Sequence, residues 1–208
     1  MDHRIVYIGN QRCALYSGAN RCTLPPYDAR VEFLEANGTQ YIDTGYIIKS
    51  SSIIDITFDN VDIGFVLGAR QSDKYQYSAI TNQLSGSFNI RMGNKIVYTI
   101  DTRPIGTLNV HLENRNIIIN NSVVSSTAWG TDYYNGNCFA FLINQNGTPS
   151  VGSGDGTPIR IRSLKFDNKI NFIPVRVGNV GYLFDTISGK LFANAGTGKF
   201  ILGPDITD

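Results

Sequence analysis

The side chains able to carry acid–base, nucleophilic or metal chemistry are few. In 208 residues there are three glutamates (Glu32, Glu35, Glu113), two histidines (His3, His111) and three cysteines (Cys13, Cys22, Cys138). Retaining glycoside hydrolysis needs two carboxyl groups about 5 Å apart on one face. Glu32 and Glu35 read as members of an opening strand with opposite parity, and Glu113 stands alone. Asp59 and Asp62 fall in an apparent turn, where a carboxylate is ordinarily solvated. A nucleophilic triad would have to use His111 as its base, on a strand that turns it toward water. No catalytic residue is therefore assigned, and the expectation is a non-enzyme. Asp59-Asn60-Val61-Asp62 could offer oxygens to calcium, but a plain turn is the better reading, so no metal or cofactor is expected. An odd number of cysteines points to reduced, half-buried thiols, with a Cys13–Cys22 bridge as the alternative. Neither histidine neighbours a close cysteine pair, which argues against zinc.

Binding chemistry is better represented. Sugar rings are held by aromatic stacking together with planar polar groups. Residues 129–137 place Trp129, Tyr133 and Tyr134 among Asp132, Asn135 and Asn137 in one loop. Arg70, Tyr75 and Tyr77 flank the turn at residues 71–74 and form a second candidate. For both groups the alternative is that the rings cover the end of the core or a subunit contact. The triplets beginning at Asn37, Asn120 and Asn146 match glycosylation acceptors but read as turns. Residues 194–198 are glycine-rich without the Gly-Lys-Ser/Thr ending of a phosphate loop, and also read as a turn.

These residues need elements to carry them, and the pattern is β throughout. Ile54, Ile56 and Phe58 alternate with polar neighbours, as do Phe88, Ile90 and Met92, and Leu108, Val110 and Leu112, so each run is a half-buried strand. Asn120-Asn121 is a tight hairpin turn, since Asn tolerates the left-handed conformation. Residues 138–143 are continuously apolar, the pattern of one strand covered on both faces. In residues 159–166 the apolar parity changes after Ile161, which predicts a bulge near Arg162-Ser163. No helix is expected. At this length one all-β sandwich is the prior. The net charge of +1 gives no basic surplus for nucleic acid, and no run is long and apolar enough to span a bilayer. Met1-Asp2-His3-Arg4 leads into a short apolar stretch broken at Gly9-Asn10, unlike a signal peptide; folding in a cytoplasm is expected.

The N-terminus carries a repeat, Tyr-x-Gly-x-x-Arg-Cys, given once by Tyr7, Gly9, Arg12 and Cys13 and again by Tyr16, Gly18, Arg21 and Cys22. It reads as a small meander too short to hold a core alone. It therefore packs on something: a larger partner as a docking arm, or the edge of its own sandwich. Pro25-Pro26 forms a stiff spacer. The division is an arm over 1–27 and a sandwich over 28–208.

Three stretches together carry a resemblance: residues 32–45, ending Gly-Thr-Gln-Tyr-Ile-Asp-Thr-Gly; the strand pair within 139–177; and residues 181–200, with Asp185, Ser188-Gly189-Lys190 and Asn194-Ala195-Gly196-Thr197-Gly198. They resemble the laminin-G-like, concanavalin A-like domains of tailed-phage virion proteins and of surface proteins of gut anaerobes, over about Ala29 to Pro204. The resemblance implies a two-sheet antiparallel jelly roll whose first and last strands lie side by side. It implies further a virion component of head or tail, assembled in a host cytoplasm. Its arm would meet other virion proteins through the repeat residues, and its sandwich would meet a host glycan. A homo-oligomer is compatible with that role but has no support in the residues. The rival readings are a bacterial cell-surface adhesin of the same fold and a glycan-cleaving enzyme.

Overall fold

A computed structural model describes residues 4–8, 11–15, 25–60, 64–71, 77–82, 86–102, 104–151 and 158–207, the strands 4–8 and 11–15 together with Asn60, Tyr77 and Asn82 by their backbone alone. Two sheets, antiparallel but for one short pairing, pack face to face, and no helix is present among the described residues. The chain is a β-sandwich.

The larger sheet runs Ser122–Ser125, Asn116–Ile119, Gly106–Glu113, Ile54–Asn60, Ile159–Phe166, Ile170–Val177, Val180–Asp185, Lys190–Phe192. The smaller runs Lys95–Ile100, Phe88–Met92, Tyr77–Asn82, Gly64–Arg70, Phe139–Ala140, Ile42–Asp43, with the hairpin Ile143–Gln145 and Thr148–Ser150 beside Gly64–Arg70. Alternation places one face of each strand inward. Phe58, Phe88, Phe141, Phe166 and Phe172 are fully buried between the sheets, and each such ring contributes about 2–3 kcal/mol through burial.

The expected turn at Asn120-Asn121 is present, with both residues left-handed at φ 48° and 66°. The expected bulge is present too: pairing with Ile54–Asn60 shifts between Ile161 and Ser163. The ends of the sandwich meet, with Ile201 opposite Glu35 and Leu202 opposite Leu34. Asn194 ties the glycine-rich turn to that seam. Its Oδ1 accepts the Tyr41 N–H at 3.1 Å and the Gly196 N–H at 2.9 Å.

Three expectations fail. The apolar run 138–143 is not one strand: Phe139–Ala140 is antiparallel to Gly64–Arg70, Phe141 turns the chain at φ 72°, and Ile143–Gln145 returns parallel to the same strand. Burial on both sides made a bend look continuous. Asp59 is not in a solvated turn; it lies inside Ile54–Asn60 and is 8% exposed. Arg162 donates to its two oxygens at 2.8 and 2.9 Å, and Thr107 donates at 2.7 Å. A carboxylate so occupied is no turn ligand for calcium. Glu32 precedes the strand Leu34–Ala36 rather than sharing it, so the parity argument does not apply; it pairs with Arg162, and Glu35 pairs with Arg160.

Two aspartates hold connections through backbone N–H groups. Asp185 accepts from Asn171, Ile187 and Ser188 at 2.9, 3.2 and 3.1 Å. Asp167 accepts from Ile53 N–H and the Tyr46 hydroxyl, both at 2.8 Å. Burial alone would raise both carboxyls, but these bonds outweigh it and hold both below the usual carboxylate value of 3.8. Their folded pKa is thus depressed, so their contribution is full above the unfolded value and is lost as pH falls through the folded one. Stability measured by urea unfolding is expected to be flat above about pH 5 and to fall steadily below about pH 4. Asp185→Asn should flatten that fall; an unchanged acid limb would refute the assignment.

Candidate functional site

The strand ends of the smaller sheet gather the sequence candidates at one end of the sandwich. Arg70 closes Gly64–Arg70 and stands opposite Tyr77, which opens Tyr77–Asn82. On its other side Arg70 stands opposite Gln145. Tyr77, Arg70 and Gln145 thus form a row across three adjacent strands. The Arg70 guanidinium donates to Gln145 Oε1 through Nε at 2.8 Å and also through Nη2. Its charge also lies 5.9 Å from the Phe65 ring centroid.

Beside this row the 143–150 hairpin borders an open groove of about 410 Å³, lined by Gln145, Asn146, Thr148, Pro149 and Ser150. The hairpin is held in shape by Asn144: its Oδ1 accepts the Gly147 N–H at 2.6 Å and its Nδ2 donates to the Asn137 carbonyl at 2.7 Å. That second bond joins the groove to the 129–137 loop. The loop is tied to the sheet on its far side as well, through Gly130 N–H to the Met92 carbonyl at 2.9 Å, while the adjoining Gly93 N–H reaches Ser78 Oγ at 3.2 Å. Gly130 is required at that seam, because a Cβ there would lie 2.4 Å from the Asn94 backbone nitrogen.

Two groups far apart in sequence therefore share one end, but not every predicted aromatic faces water there. Trp129 is 7% exposed and belongs to the core, and its indole N–H has no hydrogen-bond partner. Tyr133 is half-buried with its hydroxyl also unpartnered, and burial pushes that hydroxyl up to about 12. Both rings close the end of the core rather than offering a flat face. Tyr134 is half-buried with its ring laid over Gly136, where a Cβ would come within 2.2 Å of it. Asp132 accepts from Asn94 Nδ2 at 3.0 Å, and Asp43 accepts from Asn137 Nδ2 at 3.2 Å. The exposed chemistry is thus a set of amides, two carboxylates and one guanidinium. Gln145 was missed from sequence because nothing local marks it; only the register opposite Arg70 does.

Tyr75 lies outside the described residues, as do Gly9, Tyr16, Gly18 and Arg21 of the N-terminal repeat; Tyr7, Arg12 and Tyr77 are described by backbone position alone. Tyr7 stands directly opposite Arg12 in the hairpin Arg4–Ile8 with Gln11–Leu15.

The carboxyls elsewhere are committed to structure. Asp59, Asp167, Asp185 and Asp205 are all pushed below the ordinary value, Asp205 chiefly by the Arg176 guanidinium at 2.6 Å. His111 is half-buried on the outer face, with Asp55 at 2.5 Å from Nδ1 and Glu113 at 3.5 Å from Nε2. Among the described residues no group of three histidine, cysteine or acidic side chains is placed to hold a metal ion. Cys138 is fully buried, and its thiol is pushed well up by that burial. No protein-family model matches the chain, and no curated protein matches it in sequence.

Proposed function

We propose that this chain is a non-catalytic, lectin-like display module of a tailed-phage particle, held by its N-terminal side and presenting the polar end of the smaller sheet to host-surface glycans. The observation that carries the reading is the convergence of Arg70, Gln145, Tyr77 and the 129–137 loop at that end. Amides and a guanidinium fixed in orientation suit vicinal sugar hydroxyls. The pairing of Ile201–Leu202 with Leu34–Ala36 supports the jelly-roll, laminin-G-like assignment, since that closure is what the resemblance implies. Against catalysis stand the acidic groups themselves. A general acid working near neutrality needs a raised carboxyl pKa, whereas the four perturbed aspartates are pushed down.

Single sites of this openness bind weakly, and repetition on a particle converts that into adhesion. The test is a glycan array probed with the purified full chain displayed multivalently. Binding to a host glycan should fall roughly tenfold or more in Gln145→Ala and Arg70→Ala, the loss of one well-placed polar anchor. No binding by the wild type, or equal binding by both variants, would overturn the site. Sustained release of reducing sugar by the pure protein would favour the enzyme reading instead. Recovery from bacterial envelopes rather than from particles would favour the adhesin.

A further inference from the structure

The outer face of the larger sheet changes character along its width. Over Ile54–Asn60 and Gly106–Glu113 it is a polar ladder, with Thr57 bonded to Asn109 at 2.8 Å and Asp59 to Thr107 at 2.7 Å. Toward Val180–Asp185 it is apolar. Leu183 and Phe172 are fully buried in the core, so alternation turns their neighbours outward. Register then sets Ile173 beside Phe184, Phe184 beside Leu191, and Val177 beside Val180. Tyr182 completes the patch, and Val175, which stands opposite it on the same face, is fully covered. Val177 and Val180 remain 37% and 36% exposed. Ile173, Tyr182, Phe184 and Leu191 are half-buried, and an apolar face left partly open in this way marks a contact.

The chain itself points to the occupant. Tyr27 already lies on the patch, its ring edge-on to Phe184 at 5.0 Å between centroids. The Asp28 N–H bonds the Arg176 carbonyl at 2.9 Å, and the Gly178 N–H bonds Asp28 at 2.7 Å. Everything N-terminal to Pro25 therefore departs from the patch's rim. That segment contains the hairpin Arg4–Ile8 with Gln11–Leu15, which pairs with neither sheet of the sandwich. Its register sets Val6 opposite Cys13, Arg4 opposite Leu15 and Ile8 opposite Gln11, so Val6, Ile8, Cys13 and Leu15 share the positions of one face with Arg4 and Gln11. A two-stranded hairpin is marginal alone in water. The ten steps from Leu15 to Pro25 span up to roughly 30 Å, enough to lay it anywhere on the patch, and the tether gives it an effective concentration on the order of millimolar.

We infer that the patch formed by Ile173, Val177, Val180, Tyr182, Phe184 and Leu191 is the seat of the N-terminal hairpin of the same chain. Seated there, the hairpin adds a third layer and leaves the face on which Tyr7 and Arg12 have their positions for a larger partner. The inference stands apart from glycan binding, which uses the other sheet. Hydrogen exchange of the full chain at two dilutions tests it. The amides of Arg4–Leu15 should exchange roughly tenfold or more slowly than a free peptide, independent of concentration. Val180→Asp, at an exposed turn, and Val6→Asp, on the hairpin, should each abolish that protection while the amides of Ile54–Asn60 keep theirs. Unprotected hairpin amides in the wild type would overturn the inference. So would protection that survives both variants. Protection that vanishes on dilution would assign the patch to the hairpin of a second copy, and so overturn it as well.

Discussion

Phe200→Ala is expected to destabilise the fold by about 3–5 kcal/mol, the cost of deleting a buried aromatic ring and leaving its cavity. Phe200 is 4% exposed and its ring centroid lies 4.7 Å from that of Phe141. It is also the residue that brings the last strand home. Ile201 and Leu202 follow it to pair with Leu34–Ala36, and at Gly181 a Cβ would meet Leu34, Leu202 and Phe200 at 2.6, 2.9 and 3.3 Å. Removing the ring thus loosens the seam between the two ends of the chain as well as the core beneath. Ile201→Ala is the control, since Ile201 shares the strand but is 51% exposed; it should cost about 0.5 kcal/mol or less. Urea unfolding of the two variants decides the matter. Equal, small losses would mean that the terminal seam carries little of the stability.

The Asn120-Asn121 turn and the bulge after Ile161 were legible because each rests on a local signal, a residue type that accepts positive φ in one case and side-chain parity in the other, whereas the seam between the two ends was expected only from the resemblance. What escaped depends on partners distant in sequence. Asp59 sits next to Asn60 and Asp62, which reads as a turn, yet the alternation Ile54, Ile56, Phe58 already placed residue 59 on the outward side of a continuing strand. Its guanidinium partner is 103 residues away. The bend at Phe141 left no mark, because every residue from Cys138 to Ile143 is buried whether the backbone is straight or folded back. Trp129 sits among polar neighbours and so reads as a surface ring. Its burial follows from Gly130 docking on Met92 and Asn94, a contact that no spacing announces. At the candidate site the sequence offered Arg70 and Tyr77 as a cluster around one turn. Their cross-strand row with Gln145 required the register.

Arg162→Ala is expected to cost about 2–4 kcal/mol near neutral pH, by leaving a mostly buried carboxylate without its cation. Asp59 keeps its charge on the outer face of the larger sheet because both oxygens receive the guanidinium fork, at 2.8 and 2.9 Å. Arg162 is itself 30% exposed, so the cost falls short of that for a fully buried pair. It also lies over Phe33 at 5.3 Å and reaches Glu32 at 3.4 Å, contacts that Arg162→Lys would lose in part, since an ammonium cannot bond both oxygens in plane. The pH dependence separates lost pairing from lost packing. In the wild type, burial alone would raise the Asp59 carboxyl, but the bonds from Arg162 and Thr107 bring it below the ordinary value. Its contribution is therefore full above the unfolded value and disappears as pH falls through the folded one. Without Arg162 only Thr107 and Arg160 still oppose the burial, so the folded pKa rises and the penalty is greatest at neutral pH. The two stability curves should converge as the carboxyl protonates in acid. Asp59→Asn in the Arg162→Ala background should recover part of the loss, because a neutral amide needs no counter-charge. A deficit that stays constant from neutral pH into acid, unrelieved by Asp59→Asn, would mean that Arg162 acts through its packing on Phe33 and not through the carboxylate.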